Sequence, residues 1–234
     1  MKSFVVLRKE MKRLNRSVVS LLGIILVSIV PMILDYFTLI DNLKNSRFAA
    51  MRYSDESFLI GMYLIPLLVF IIYYYDRKSD MLSIIYTNPI SPFQYSFGKF
   101  LTAVCVYLQY ILLGSIITII FPIFYGKSIY SIYTFIITFL LFSFPLIIFF
   151  IALSNLINII LRQSIVSVIL PLLVFFMLDK IPIFSGFTRV RYSQLFINRN
   201  YIDPKVILVG AAYIAVAIIC IVISTIIYCR QNNN

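Results

Sequence analysis

The chain contains no histidine, and its three cysteines, Cys105, Cys220 and Cys229, are widely separated. The first absence removes the commonest metal ligand and the commonest general base, which excludes intramembrane proteolysis by zinc or by a histidine-assisted serine. The cysteines lie within or at the end of apolar runs and show no paired spacing, so they read as small apolar fillers rather than disulfide or metal partners. Charge is scarce as well, with 12% charged residues against 62% hydrophobic ones. No Asp, Glu, Lys or Arg stands at the centre of a long apolar run, so the midplane ionisable group of an ion-coupled carrier is missing. A nucleotide site is missing too. Gly98-Lys99 resembles the end of a phosphate loop, but that pattern needs an earlier glycine where Phe93 stands and a Ser or Thr where Phe100 stands. No G-x-x-x-G pair marks a helix-dimer face.

What the chain has in quantity is long apolar sequence, the signature of a membrane-spanning protein. Six stretches stand out: Ser17 to Leu34, Ser57 to Tyr75, Phe100 to Tyr125, Ser128 to Leu161, Gln163 to Leu178 and Val206 to Cys229. A crossing takes roughly 20 residues at about 1.5 Å each, so most fit one crossing. The fourth is too long for one perpendicular pass and contains Pro145, which predicts a kinked or tilted helix with an interfacial first part before Tyr133. The fifth is short, with Arg162 at a tight turn before it. The fold class is therefore all-α, a single transmembrane domain over residues 1–234 with six spans.

Six spans put both termini on one side. Residues 1–16 carry Lys2, Arg8, Lys9, Lys12, Arg13 and Arg16 against a single acid, Glu10, which places the N-terminus in the cytoplasm of a multi-pass cell-membrane protein. The loop at 76–99 is then cytoplasmic, while residues 35–56 and 179–205 face outward. The last outer loop is itself basic, with Lys180, Arg189, Arg191, Arg199 and Lys205, so the orientation rests mainly on the N-terminus. The net charge of +11 is dispersed along span flanks, which suits anionic lipid headgroups and not nucleic acid. The first apolar run is longer than a signal-peptide core and no small-x-small site follows it, so a cleaved leader is not expected.

Two polar elements remain. Phe4, Leu7, Met11 and Leu14 recur at helical spacing beside a basic face, predicting an amphipathic interfacial helix. Between the second and third runs, Asp76, Arg77, Lys78 and Asp80 precede an apolar patch of Met81, Leu82, Ile84 and Ile85. Asn88-Pro89 ends that short helix, because a residue before proline avoids the α region. Ser91-Pro92-Phe93-Gln94 restarts one with an S-x-x-Q capping box and proline at the first helical position. Asp203-Pro204 reads as a cap opening the sixth span.

Lys9-Glu10-Met11-Lys12 with Arg16-Ser17, Asp76-Arg77-Lys78, Asn88-Pro89-Ile90-Ser91 and Gly98-Lys99-Phe100-Leu101 together resemble the permease subunits of type-2 ABC exporters, most closely over residues 1 to about 125. The resemblance implies that the first element is a connecting helix bearing Lys9, Glu10, Arg13 and Arg16. It also implies that Asp76, Arg77, Asp80, Met81, Leu82, Ile84, Ile85, Asn88 and Pro89 form a coupling helix seated on a cytoplasmic ATPase. Two six-span subunits, identical or homologous, would pair above two ATPases, which would hold the ATP and Mg; this chain would hold no cofactor and no metal. Two positions depart from the family pattern. Many relatives carry Glu where Asp76 stands and a basic residue where Pro92 stands.

The expected function is ATP-driven export of an amphipathic or hydrophobic cargo, a peptide, lipid-like molecule or drug, by alternating access. Gln109, Thr118, Asn155 and Asn158 are candidate path residues, although most intramembrane amides and hydroxyls bond neighbouring helices. The alternative is a non-transporting immunity or sensor protein that binds an antimicrobial peptide, which would need no coupling segment. A lipid-acting enzyme is disfavoured because Asp35, Asp41, Asp179 and Asp203 are scattered.

Overall fold

The computed structural model describes residues 2–15, 17–30, 33, 59–74, 91–124, 132–161, 165–181, 202 and 204–232, and among these the protein is all helix. Helix α1 is Lys2–Leu14 and α2 is Val18–Ile24, which continues as a π-helical turn over Ile25–Ile29. Helix α3 is Leu59–Tyr74, α4 is Pro92–Phe124 and α5 is Ile132–Thr138. A second π turn, Phe139–Ser143, leads into α6, Phe144–Ile160. Helix α7 is Val166–Asp179 and α8 is Pro204–Asn232.

Three helices are long and apolar enough to cross a membrane, over Phe93–Ile116, Ile136–Ile160 and Pro204–Arg230, with Leu59–Tyr74 and Val166–Leu178 as shorter apolar helices. Residues 31–32, 34–58, 75–90, 125–131, 162–164 and 182–201 lie outside the described set. So do Arg16 and Asp203.

Local chemistry explains the helix boundaries. Ser17 closes α1 and opens α2: its hydroxyl donates to the Leu14 carbonyl at 2.6 Å and accepts from the Ser20 amide at 3.4 Å. At the start of α4 the expected capping box forms. The Ser91 amide donates to Gln94 Oε1 and the Gln94 amide to Ser91 Oγ, each at 3.2 Å. Helix α4 thus begins at Pro92, well before the apolar run at Phe100, and Lys99 falls inside the helix. Pro204 likewise takes the first position of α8.

The long fourth run adjusts at Pro145, but by widening. Proline lacks an amide hydrogen and its ring crowds the carbonyl four residues back, here Leu141. The π turn directly before it, closed by the Phe144 amide on the Phe139 carbonyl, fits one extra residue and carries the helix past that obstacle. Gly210 of α8 faces this point, where a Cβ would lie 3.6 Å from Pro145 Cγ.

The core is built around α4 and α6. The apolar windows of these helices are 61% and 56% buried, whereas that of α8 is 33% buried, so α8 packs on the outside of the described bundle. Its main partner is α6, with Phe149 stacking obliquely on Tyr213 at 5.1 Å between ring centroids. Two glycines let α2 and α3 approach α4 closely. A side chain at Gly23 would overlap the Tyr110 ring, and one at Gly61 would overlap the Tyr107 hydroxyl, and both tyrosines are buried.

Candidate functional site

Helix α1 packs mainly on α4. Its buried stripe is Val6, Glu10 and Leu14, spaced by four, while Leu7 and Met11 are half-buried and Arg8, Lys9 and Lys12 are exposed. The centre of the packed face is therefore offset from the expected Phe4–Leu7–Met11–Leu14 stripe, and an acid sits in the middle of it. Glu10 is 4% exposed.

That acid has two cationic partners. Its Oε1 lies 2.9 Å from Lys99 Nζ on α4, and its Oε2 pairs with Arg13 one turn further along α1. Both cations also donate to one carbonyl, that of Ile72 in the last described turn of α3, from Lys99 Nζ at 3.0 Å and Arg13 Nη2 at 3.2 Å. Two charge-assisted hydrogen bonds on one carbonyl hold both cations against α3. The Lys99 side chain is fully buried. Its ammonium stands 5.3 Å from the Tyr95 ring centroid and 5.8 Å from that of Tyr73, within cation–π range.

The cluster extends across the bundle. Tyr73 Oη donates to Asn155 Oδ1 on α6 at 2.6 Å, and the Tyr73 ring meets Tyr95 edge-on at 6.3 Å. Tyr95 stacks on Tyr228 of α8 at 5.1 Å. One turn beyond Asn155, Asn158 Oδ1 accepts from Ser167 Oγ of α7 at 2.9 Å, joining α6 and α7 across their short connection. Four helices thus meet α1 or its partners at one end of the bundle, and the two chain ends that flank residues 75–90 are both tied to α1.

A buried ion pair of this kind has large opposing desolvation and Coulomb contributions, so its net worth is small while it is intact. Removing one member of such a pair costs about 3–5 kcal/mol. It acts as a register pin between α1, α3 and α4.

A family model described as ABC-2 family transporter protein matches residues 6–179. The chain belongs to the ABC-2 transporter family. No curated protein and no solved structure gives a significant match. Members of this family are membrane components of ABC transporters and partner an ATPase subunit, so this ABC-2 protein is a membrane-embedded permease component.

Of the residues singled out from the sequence, Glu10 and Arg13 are in the cluster and Lys9 is exposed on α1. Asn155 and Asn158 are buried on α6. Gln109 is half-buried on α4, about three turns beyond Lys99. Thr118 belongs to α4, and its side chain lies outside the described set. Arg16 and all of Asp76, Arg77, Asp80, Met81, Leu82, Ile84, Ile85, Asn88 and Pro89 lie outside it as well. Sequence reasoning passed over Lys99, noting it only as the end of a failed phosphate loop and a part of the third span's lead-in. The available signal was its place on the face shared by Tyr95, Thr102 and Val106, all buried, within an apolar helix.

Proposed function

We propose that this ABC-2 protein is the permease subunit of an ATP-driven exporter, with α1 as its connecting helix and residues 76–90 as the segment that docks on a cytoplasmic ATPase. The single observation that carries the reading is the Glu10–Lys99 ion pair. Together with Arg13 and the Ile72 carbonyl, it fastens the connecting helix to both flanks of the docking segment. A push on residues 76–90 would then reach α1, α3 and α4 together, and pass to α6 and α8 through Tyr73, Tyr95 and Tyr228.

In this reading the chain crosses the membrane six times with both termini in the cytoplasm. It pairs with a second permease subunit, and alternates access to an amphipathic or hydrophobic cargo. ATP and Mg act on the partner ATPase. The basic residues Arg8, Lys9 and Lys12 of α1 are exposed, and in this reading they meet anionic headgroups at the inner leaflet.

Co-purification in mild detergent tests it, comparing the wild-type chain with one in which Met81, Leu82, Ile84 and Ile85 are changed to serine. A stoichiometric ATPase that accompanies the wild type and is lost from the variant supports the reading. Absence of an ATPase from the wild type rejects it in favour of a stand-alone membrane binding protein.

A further inference from the structure

Hydroxyl groups inside a membrane span usually satisfy themselves on their own helix. Four here do so: Thr102 donates to the Gly98 carbonyl at 2.8 Å, Ser115 to Leu112 at 2.8 Å, Ser224 to Cys220 at 2.6 Å and Thr225 to Ile221 at 2.8 Å. Ser96 of α4 and one turn of α6 do not. In that turn Ser154, Asn155 and Asn158 are each 1% exposed, and Ser154 Oγ, Asn155 Nδ2 and Asn158 Nδ2 have no hydrogen-bond partner among the described residues. Each asparagine holds its neighbour through its amide oxygen, Asn155 Oδ1 accepting from Tyr73 and Asn158 Oδ1 from Ser167, while the donor side of each amide has no partner among the described residues.

At 100° per residue these three positions cover an arc of about 100°, one continuous side of the helix. Orphaned donors in an apolar interior are costly, and the cost disappears when water reaches them. Three on one side of one turn therefore penalise the packed arrangement relative to any arrangement that hydrates that side. The turn also lies next to the ion cluster, since Tyr73 bonds Asn155 and its ring faces Lys99.

We infer that the Ser154–Asn158 side of α6 lines a water-filled vestibule in a second conformation of the bundle, so that water is the ligand of these three groups. The inference rests on the transporter reading for the existence of a second, nucleotide-controlled state. In that state the α6 turn separates from its neighbours at the end where the docking segment is attached. The packed structure is the closed form of the vestibule.

Cysteine accessibility in the full chain, co-purified with its ATPase and placed in nanodiscs, tests this. In a background with Cys105, Cys220 and Cys229 changed to alanine, Ser154→Cys, Asn155→Cys and Asn158→Cys are treated with a charged maleimide, with and without bound ATP. Leu153→Cys, about 150° around α6 from the middle of this arc, is the control. Minor states are populated at roughly 0.1–10%, so a switch should change the labelling rate at positions 154 and 158 by at least about tenfold between nucleotide conditions, with the Leu153→Cys rate the same in both. As a second measure, Ser154→Ala should raise the Tm of the nucleotide-free complex and slow labelling at Asn158→Cys. A complex that keeps its ATPase yet leaves all three cysteines unreactive in both conditions overturns the inference alone, as does a lowered Tm for Ser154→Ala. Loss of the ATPase from the unsubstituted chain overturns the transporter reading instead.

Discussion

Glu10 Oε1 and Lys99 Nζ stand 2.9 Å apart, each nearly or wholly cut off from solvent, and join the first helix of the chain to the fourth. Glu10→Gln removes the carboxylate that faces both Lys99 and Arg13, and Lys99→Met removes one of the two cations that face Glu10. Each change is expected to destabilise by about 3–5 kcal/mol, and the double variant by clearly less than the sum, because it removes both buried charges of the pair. Thermal unfolding of the four proteins checks this; additive losses would show that the two side chains act independently.

Gly61 should not accept a side chain. A Cβ there overlaps the Tyr107 hydroxyl and ring, and Tyr107 is completely buried, so Gly61→Ala is expected to cost about 1–3 kcal/mol through overpacking. Adding Tyr107→Phe removes the nearest clashing atom and should recover part of the loss in a stability measurement. Gly23→Ala against Tyr110 follows the same logic.

Tyr73→Phe deletes the donor to Asn155 Oδ1 and leaves a buried acceptor in a turn already short of partners. A loss of about 1–3 kcal/mol is expected, and combining it with Asn155→Leu, which removes the abandoned amide, should bring the stability back toward wild type. Denaturation of the single and double variants in matched detergent checks the sign of the second step.

Ser91→Ala removes one half of the capping box at the start of α4. The expected cost is about 0.5–2 kcal/mol, confined to the first turn, since Ser91 and Gln94 are near the surface. Hydrogen exchange should speed up at residues 93–95 and stay unchanged from Lys99 onward, where the ion pair holds the helix.

These elements differ in how far the sequence reveals them, for physical reasons. The Ser91–Gln94 box and the proline openings at Pro92 and Pro204 are local chemistry, complete within four residues, and so are readable in one dimension. The passage of Pro145 was legible as an irregularity, but its form, a π turn facing Gly210, depends on a neighbouring helix. The ion cluster was hardly legible at all. Its members come from α1, α3 and α4, and a carboxylate in a basic segment reads as a minor surface charge until the partner helix is in place. The placement of Val6, Glu10 and Leu14 on one stripe was the available clue. The three long apolar helices were evident from composition, as was the ABC-2 family from motifs in the first half of the chain.

The central claim is that the ATPase docks on the segment whose two flanks Glu10, Arg13 and Lys99 hold together. Photo-cross-linking addresses it directly, with a photoreactive amino acid at Leu82 in the docking segment or at Tyr133, an exposed position at the start of α5. The account predicts an adduct with the co-purified ATPase from position 82 and none from position 133. An intact complex that cross-links from position 133 and not from position 82 would contradict it.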